Sequence, residues 1–435
     1  FEIIPSHISY HSKAVTSRNI AKRTMPRFAV QVTNVLHSQV FKVSLRAQSR
    51  CLSSHVLNDR NRKVSLQLQH SNAQEIPTPK APPKESILKK FETYQAKPLG
   101  PPNFQWREGL QGEKLDPSKH LQIEPPSHIK NLNFCDVKFP FSAEQKGIDG
   151  QLAYTRPFRI LSDEGVKLAR KSIEANMETL AHSDDRASCY LRGLGMVSNF
   201  HNDLAYSPEV LSMLSELSRD SVAPHSTPMN ISHTNVGQIK TGRPVDKWHV
   251  DSTDYVLVIV LSDQNNMVGG DLRVLQLPDA SNTDSNLTVF ETLQAQGVPD
   301  ELVETVKYTK AGYGIFMQGC KILHQVSELL QANEPRISLV NSYQSSRVFV
   351  TPDKTRFSSY ERFDGYDIAS VDFARHKAWR VGSQLDYIAD HASYDSKGPT
   401  SEELSAILRN ASEELQMAAD LLEKKISDSP KWVEG

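Results

Sequence analysis

The sequence has no long run of apolar residues. The longest, Tyr255 to Leu261, is only as long as one strand, whereas a helix that crosses a bilayer needs about 20 apolar residues. The pattern therefore predicts no transmembrane helix. The 435 residues are 38% hydrophobic and 23% charged, which is the composition of a globular protein with enough chain to bury a core.

Cysteine is also scarce. The chain has four, Cys51, Cys135, Cys189 and Cys320, and no two of them form a CxxC pair. A disulfide framework or a cysteine-based zinc site would need more cysteines at closer spacing. The composition is therefore typical of a protein from a reducing compartment.

The net charge is only −1, but the charge is unevenly distributed. Residues 1–63 contain eleven Lys and Arg and two acids, which leaves 39 basic and 49 acidic residues in the rest of the chain. This polarity indicates a basic extension joined to an acidic body. Because the body has no RNP-like, zinc-finger or basic-helix pattern, we expect no nucleic-acid partner, and no membrane partner either.

The basic N-terminal extension, residues 1–63, has a second notable property. From Met25, the first methionine, it is rich in Arg and Ser and has no acid before Asp59. That composition is typical of a mitochondrial transit peptide, so we predict mitochondrial import, with a basic tail on a cytoplasmic protein as the alternative. Residues 64–84 are polar and Pro-rich and predict a disordered linker. Residues 85–435 are predicted to form a single domain.

Within 85–435 the pattern changes from helices to strands and back. Ser162 precedes two acids and predicts the N-cap of a helix that ends near Leu180; residues 207–217 and 401–425 predict two more helices. From Pro228 onward, short β-branched segments are separated by glycine-containing turns. They predict a mainly β fold with flanking helices, whose core is a double-stranded β-helix, or jelly roll, at about residues 225–350. Residues 285–307 predict a helix-like insertion.

Three residues in the strand region are candidate metal ligands. His249 and Asp251 are separated by one residue, so on an extended strand their side chains share a face. His324 follows a glycine turn, 73 residues after Asp251. Two histidines and one carboxylate form the facial triad of non-haem Fe(II) sites, which leaves three coordination positions open.

A fourth element makes this pattern more specific than HxD alone, which is common by chance. Arg336 and Ser338 lie twelve and fourteen residues after His324, on the next predicted strand, with both side chains on one face. A guanidinium fork and a hydroxyl suit the distal carboxylate of an oxo acid. On the same strand, Asn341 and Tyr343 should point to the opposite face. Asn235, on the strand before His249, could border the pocket.

The order HxD, insertion, distal His, RxS resembles that of the 2-oxoglutarate/Fe(II)-dependent dioxygenase superfamily across about residues 150–350. The flanking sequence resembles a fungal small-molecule oxygenase subgroup of secondary metabolism. The resemblance implies that His249, Asp251 and His324 are the catalytic iron ligands. It also implies that Arg336 and Ser338 bind 2-oxoglutarate and that O₂ is the second cosubstrate.

The reaction implied by this resemblance is oxidation of an unactivated C–H bond by an oxidoreductase, with release of succinate and CO₂. Hydroxylation, desaturation and ring closure are all open, and the expected substrate is a small molecule such as an amino acid or a secondary-metabolite intermediate. Two other hypotheses remain. One is a cupin-type metal dioxygenase that needs no 2-oxoglutarate, and the other is a non-catalytic binding protein.

Overall fold

The computed structural model describes residues 91–143, 150–184, 186–239, 242–276, 297–394 and 398–429. All of them belong to one compact unit. The predictions for the basic extension and the linker lie outside the described residues. Among the helices of the described ranges, none has the length and apolarity to cross a membrane.

The described residues form sixteen strands and seven α-helices, with four short 3₁₀ helices between them. The strands are β1 His128–Asn131, β2 Asp136–Lys138, β3 Leu152–Thr155, β4 Phe158–Arg159, β5 Ala181–His182, β6 Tyr190–Leu191, β7 Val222–Pro224, β8 His233–Gly237, β9 Pro244–His249, β10 Tyr255–Val260, β11 Val268–Gly269, β12 Leu272–Leu275, β13 Val303–Val306, β14 Tyr313–Met317, β15 His324–Gln331 and β16 Arg336–Ser345. The helices are α1 Pro117–His120, α2 Asp163–Leu180, α3 Asn199–Ala205, α4 Pro208–Ser218, α5 Phe357–Asp364, α6 Tyr366–His391 and α7 Ser401–Leu422.

The strands form two antiparallel sheets. In the larger sheet the order β14–β10–β16–β8 is extended at its edges by β3, β1 and β2 and by β6 and β5. In the smaller sheet the order is β13–β12–β15–β9. Along the chain these eight strands alternate between the larger and the smaller sheet, except that β12 and β13 both lie in the smaller one. Every pairing among them is antiparallel. This is the strand order of a double-stranded β-helix with flanking helices, which confirms the predicted fold class.

Strand β10 is buried on both faces. On one face Leu257 joins a core cluster with Leu339 of β16 and Ile173 of α2. On the other face Val256 packs in a second cluster with Val274 of β12, across the interior of the jelly roll. A strand covered on both sides needs apolar residues at nearly every position, which explains the near-continuous β-branched sequence of β10.

The helix caps follow the sequence pattern closely. The Ser162 hydroxyl accepts a hydrogen bond from the Gly165 amide (3.0 Å), so Ser162 is the N-cap of α2, as predicted. Ser207 caps α4 in the same way. Helix α7 begins with a capping box between Thr400 and Glu403 and ends at Leu422, three residues before the predicted end. It stops there because Lys424 adopts a left-handed backbone conformation.

Two segments differ from the prediction. Residues 357–391 form helices α5 and α6, which their aromatic, mixed sequence did not predict. The buried face of α6 is largely polar, so the apolar periodicity that identifies a helix is missing. The sequence also predicted a helix-like insertion at 285–307. This prediction was wrong at the C-terminal end of the segment, because Val303–Val306 forms strand β13, which pairs with β12. Residues 285–296 of that insertion lie outside the described residues.

Candidate metal centre and cavity

The three predicted ligands meet at one end of the smaller sheet. His249 is the last residue of β9 and His324 the first of β15, and the two are direct partners in the antiparallel pair. Asp251 lies two residues beyond the end of β9, so it does not share a strand with His249 as the sequence suggested. Its backbone amide donates to the Gly319 carbonyl (3.0 Å), which holds Asp251 beside the two histidines.

The side-chain atoms of this triad are close enough to share one ion. Asp251 Oδ1 is 3.4 Å from His249 Nε2, and Asp251 Oδ2 is 3.8 Å from His324 Nε2. All three candidate ligand atoms lie within 4.8 Å of one another. No other set of three His, Cys, Asp or Glu side chains in the described ranges has this arrangement.

The backbone fixes the orientation of both imidazoles. His249 Nδ1 lies 2.6 Å from the Lys247 carbonyl, and His324 Nδ1 lies 3.0 Å from the Ile322 carbonyl. A carbonyl can only accept, so each Nδ1 carries a proton and each Nε2 faces Asp251, where it can bind a metal ion once deprotonated. This arrangement is typical of metal-binding histidines, whose other nitrogen donates to a fixed acceptor.

Electrostatics prepare the triad for a cation. Burial opposes ionisation of Asp251, but the two imidazoles, His324 foremost, lower its pKa well below the usual range. Burial lowers the pKa of His324 to about 4. Burial also lowers the proton affinity of His249, but Asp246 and Asp251 outweigh it and raise the pKa. A divalent cation at Nε2 would displace that proton.

Gly319 offers a direct test of this arrangement. A Cβ at this position would overlap Asp251 Oδ2, which has no hydrogen-bond partner among the described residues. Gly319→Ala is therefore expected to displace the carboxylate and weaken Co(II) or Fe(II) affinity at least about tenfold, an effect like that of losing an outer-shell partner. Anaerobic metal titration measures the change. Gly382→Ala in α6, where a Cβ meets no atom within 4 Å, is the matched control and should bind metal normally.

Arg336 is a buried cation that forms no close ion pair with any described residue, although Asp271 acts on it at longer range. It begins β16 and is 1% exposed. Its Nη1 donates to Ser338 Oγ at 2.9 Å, whereas Nε and Nη2 have no acceptor among the described residues. Gly237 lies directly opposite Arg336 in β8, and a Cβ at Gly270 would come within 2.7 Å of Arg336 Cδ. Gly270 thus leaves room for the long side chain.

This unpaired guanidinium indicates a missing ligand. Burial of a charge without a counter-ion or full hydrogen bonding costs several kcal/mol, and burial lowers the pKa of Arg336. Two unused N–H donors beside a serine hydroxyl match the oxygens of a carboxylate. The donor set of Arg336 and Ser338 therefore fits the distal carboxylate of an oxo acid.

A cavity of about 130 Å³ is lined by all three triad residues and by Ser338. Arg336 does not line it but donates to Ser338, which does. The floor of the cavity is mainly apolar and comes from both sheets, with Val256, Val258, Leu272, Met317, Val340 and Tyr308. An apolar floor with a few convergent polar groups is typical of a small-molecule site.

The opposite wall of the cavity is polar and was not predicted. Arg192 makes two hydrogen bonds to Asp364 (2.9 and 2.6 Å), and Arg186 pairs with Asp246 (2.8 Å). Both guanidinium carbons lie 5.5 Å from the centre of the Phe363 ring. Arg186 and Arg192 come from residues before the jelly roll, and Asp364 and Phe363 from α5 after it. No local motif links these segments, so only the fold brings them together.

The remaining predictions about β8 and β16 can now be compared with the structure. Asn341 accepts hydrogen bonds from Ser232, and Tyr343 lies in the core cluster behind the larger sheet. Both point away from the cavity, as predicted from strand alternation. Asn235 lines the cavity together with His233.

No protein-family model and no curated protein matches this chain. Among solved structures, it is similar to the non-heme alpha ketoglutarate dependent carbocyclase SnoK from nogalamycin biosynthesis (16% identity, 47% of this chain and 85% of that chain, TM-score 0.37). It is also similar to the epimerase SnoN of the same biosynthesis (15% identity, 44% of this chain and 78% of that chain, TM-score 0.34). A third similar structure is EctD from S. alaskensis (16% identity, 52% of this chain and 83% of that chain, TM-score 0.32). At these identities and TM-scores, the similarities do not assign an activity to this chain.

Proposed function

We propose that this chain is an Fe(II)- and 2-oxoglutarate-dependent oxygenase that oxidises a C–H bond of a small molecule, and a member of the corresponding dioxygenase superfamily. One observation carries the proposal. A two-His, one-carboxylate cluster and Ser338 line one cavity of the jelly roll, and Ser338 accepts a hydrogen bond from Arg336, whose Nε and Nη2 have no acceptor among the described residues. A metal site alone would not need that arginine.

The residues of the chain have separate tasks in this proposal. His249, Asp251 and His324 would hold three positions of the ion on one side and leave the others open. Arg336 and Ser338 would bind the distal carboxylate of 2-oxoglutarate. Bound iron and cosubstrate would supply the oxidation of the C–H bond by O₂, with release of succinate and CO₂. The valines of β10 and β16 would keep water away from the reacting groups.

The small size of the cavity and its polar wall favour a small polar substrate. From the sequence resemblance we propose that the substrate is an amino acid or a secondary-metabolite intermediate of a fungal-type pathway. The same resemblance allows hydroxylation, desaturation or ring closure as the reaction. Mitochondrial localisation remains a prediction as well. The unpaired Arg336 disfavours the cupin-type alternative, and the complete triad disfavours the non-catalytic one.

The proposal is tested by anaerobic visible spectroscopy of the full chain. We expect a weak metal-to-ligand charge-transfer band only when Fe(II) and 2-oxoglutarate are both present, because that band requires an oxo acid chelated to iron. Glutarate, which has the same carbon chain and the same two carboxylates but no keto group, is the matched control and should give no band. Tight Fe(II) binding without a band on addition of 2-oxoglutarate would favour the cupin-type alternative.

A further inference from the structure

Strand β8 pairs with the part of β16 that carries Arg336 and Ser338. His233 is the partner of Val340, Asn235 of Ser338 and Gly237 of Arg336. At Gly237, a Cβ would be tight against Val245. His233 and Asn235 both line the cavity, yet neither has a role in the metal triad or in the clamp formed by Arg336 and Ser338.

The hydrogen-bond direction in this group is set by Arg192. A guanidinium can only donate, and Arg192 Nη1 lies 3.3 Å from His233 Nδ1. His233 Nδ1 must therefore accept, which places the imidazole proton on Nε2. His233 Nε2 lies 2.7 Å from Asn235 Oδ1 and donates to it. Burial and the positive charge of Arg192 lower the pKa of His233 to about 4, so the ring stays neutral.

Arg192 is itself firmly held. Its Nε and Nη2 donate to the two carboxylate oxygens of Asp364, which is 2% exposed in its side chain. Its Nη1 also donates to Asn230 Oδ1 (2.7 Å), and Asn230 Nδ2 donates to the Tyr360 hydroxyl (2.8 Å). The start of the chain of hydrogen bonds is therefore fixed by a buried ion pair, and every later donor and acceptor follows from it.

These hydrogen bonds determine the orientation of the Asn235 side-chain amide. Asn235 Oδ1 accepts the hydrogen bond from His233 Nε2. If the side-chain amide rotated by 180°, its NH₂ group would face the His233 N–H, and two donors would oppose each other. Asn235 Nδ2 has no acceptor among the described residues. Asn235 therefore offers N–H donors to whatever occupies the cavity, at a position beside Ser338 and one strand away from Arg336.

We propose that the Arg192–His233–Asn235 relay directs the Asn235 amide N–H toward a carboxylate oxygen of 2-oxoglutarate, so that Asn235 is an additional anchor for the cosubstrate. This inference rests on the proposed function. The carboxylate is favoured as acceptor for two reasons. Asn235 is paired with Ser338, and a dicarboxylate has more acceptor oxygens than Arg336 and Ser338 alone can satisfy. Asn235 is then a binding residue, and His233 and Arg192 are positioning residues.

Substitutions at His233 can preserve or reverse the relay. In His233→Gln, the side chain can accept from Arg192 through Oε1 and donate to Asn235 through Nε2, so the polarity is kept. In His233→Glu, the carboxylate can accept from both neighbours, which would turn Asn235 so that Oδ1 faces the cavity. Asn235→Asp removes the donor itself. Comparing these three variants separates hydrogen-bond direction from the mere presence of a polar side chain.

The readout is the dissociation constant of 2-oxoglutarate, titrated anaerobically into the Fe(II)-loaded protein. We expect His233→Gln to lie within about threefold of the parent chain. His233→Glu and Asn235→Asp should bind at least about tenfold more weakly, since each loses a hydrogen bond to a charged group. Parent-like binding by either of these two variants would overturn the proposal, and so would equal weakening in His233→Gln and His233→Glu. Unchanged cosubstrate affinity with reduced succinate release would also overturn it, because the donor would then serve the substrate.

A ligand-free measurement keeps this inference separate from the proposed function. Nitrogen-15 NMR of the protein at neutral pH, with the His233 signals assigned by their loss in His233→Gln, should show a neutral ring protonated at Nε2. A ring protonated at Nδ1 would overturn the relay even if 2-oxoglutarate binds. Absence of 2-oxoglutarate binding in the parent chain, with an Nε2-protonated His233, would instead refute the proposed function and with it the cosubstrate as acceptor.

Discussion

Replacement of Asp251 by alanine is expected to abolish divalent-metal binding and turnover of 2-oxoglutarate. The substitution removes the only carboxylate of the triad and leaves two imidazoles whose ring centroids are 4.2 Å apart. Loss of an outer-shell partner typically lowers metal affinity 10–100-fold, so loss of a direct anionic ligand should lower it more than about 100-fold. Anaerobic titration with Fe(II), and with Co(II) as a spectroscopic surrogate, measures the effect.

A matched control distinguishes this effect from a general loss of an aspartate. Asp263 lies in an exposed turn after β10, where it accepts a hydrogen bond from the Asn265 amide. Asp263→Ala removes the same group at a distance from the triad and should bind metal like the parent chain. If Asp251→Ala retains parent-like metal affinity in a folded protein, the triad is not the metal site.

Much of this site could be predicted from sequence because strand geometry determines it. The alternation of side chains on β16 correctly assigned Arg336 and Ser338 to one face and Asn341 and Tyr343 to the other. The HxD spacing also identified residues that lie together, although Asp251 reaches the site from beyond the strand end through its backbone contact with Gly319. Local periodicity is therefore sufficient where a ligand set is carried by strands and by the residues next to them.

The polar wall could not be predicted because it depends on long-range contacts. Arg192 and Asp364 are 172 residues apart in sequence, and neither lies in a motif that signals an ion pair. Helix α6 was missed for a related reason. Its buried face carries Asp372, His376 and Lys377, which are satisfied by tertiary contacts such as the 2.7 Å ion pair between Lys377 and Asp353. Buried polar groups of this kind hide the apolar pattern on which helix prediction depends.

Replacement of Arg336 by methionine is expected to separate ligand binding from protein stability. Methionine keeps much of the length of the side chain but removes the guanidinium. If Arg336 pairs with a cosubstrate carboxylate, its loss should cost about 2–5 kcal/mol, which raises the dissociation constant or KM for 2-oxoglutarate at least about thirtyfold. Arg336→Lys, which keeps the charge but loses the bidentate fork, should fall between methionine and the parent chain.

The matched control for this substitution is Arg347→Met. Arg347 pairs with Asp220 at 2.8 Å, and neither residue lines the cavity. The variant should therefore bind 2-oxoglutarate normally while losing some stability, because it leaves the nearly buried Asp220 carboxylate with one partner fewer. Parent-like affinity in Arg336→Met would mean that another cation binds the cosubstrate.

The stability of the ligand-free Arg336→Met variant gives the sharper result. Breaking a buried ion pair normally destabilises a protein strongly, because one charge is left uncompensated. Arg336 forms no close ion pair among the described residues, and two of its nitrogens have no acceptor there. We therefore expect the free energy of unfolding of the ligand-free protein to stay the same or to rise, as measured by denaturant titration. The parent chain, but not the variant, should then gain stability when Fe(II) and 2-oxoglutarate are added. A large loss of stability without ligand would show that Arg336 supports the fold itself, and the unpaired guanidinium would no longer be evidence for a carboxylate ligand.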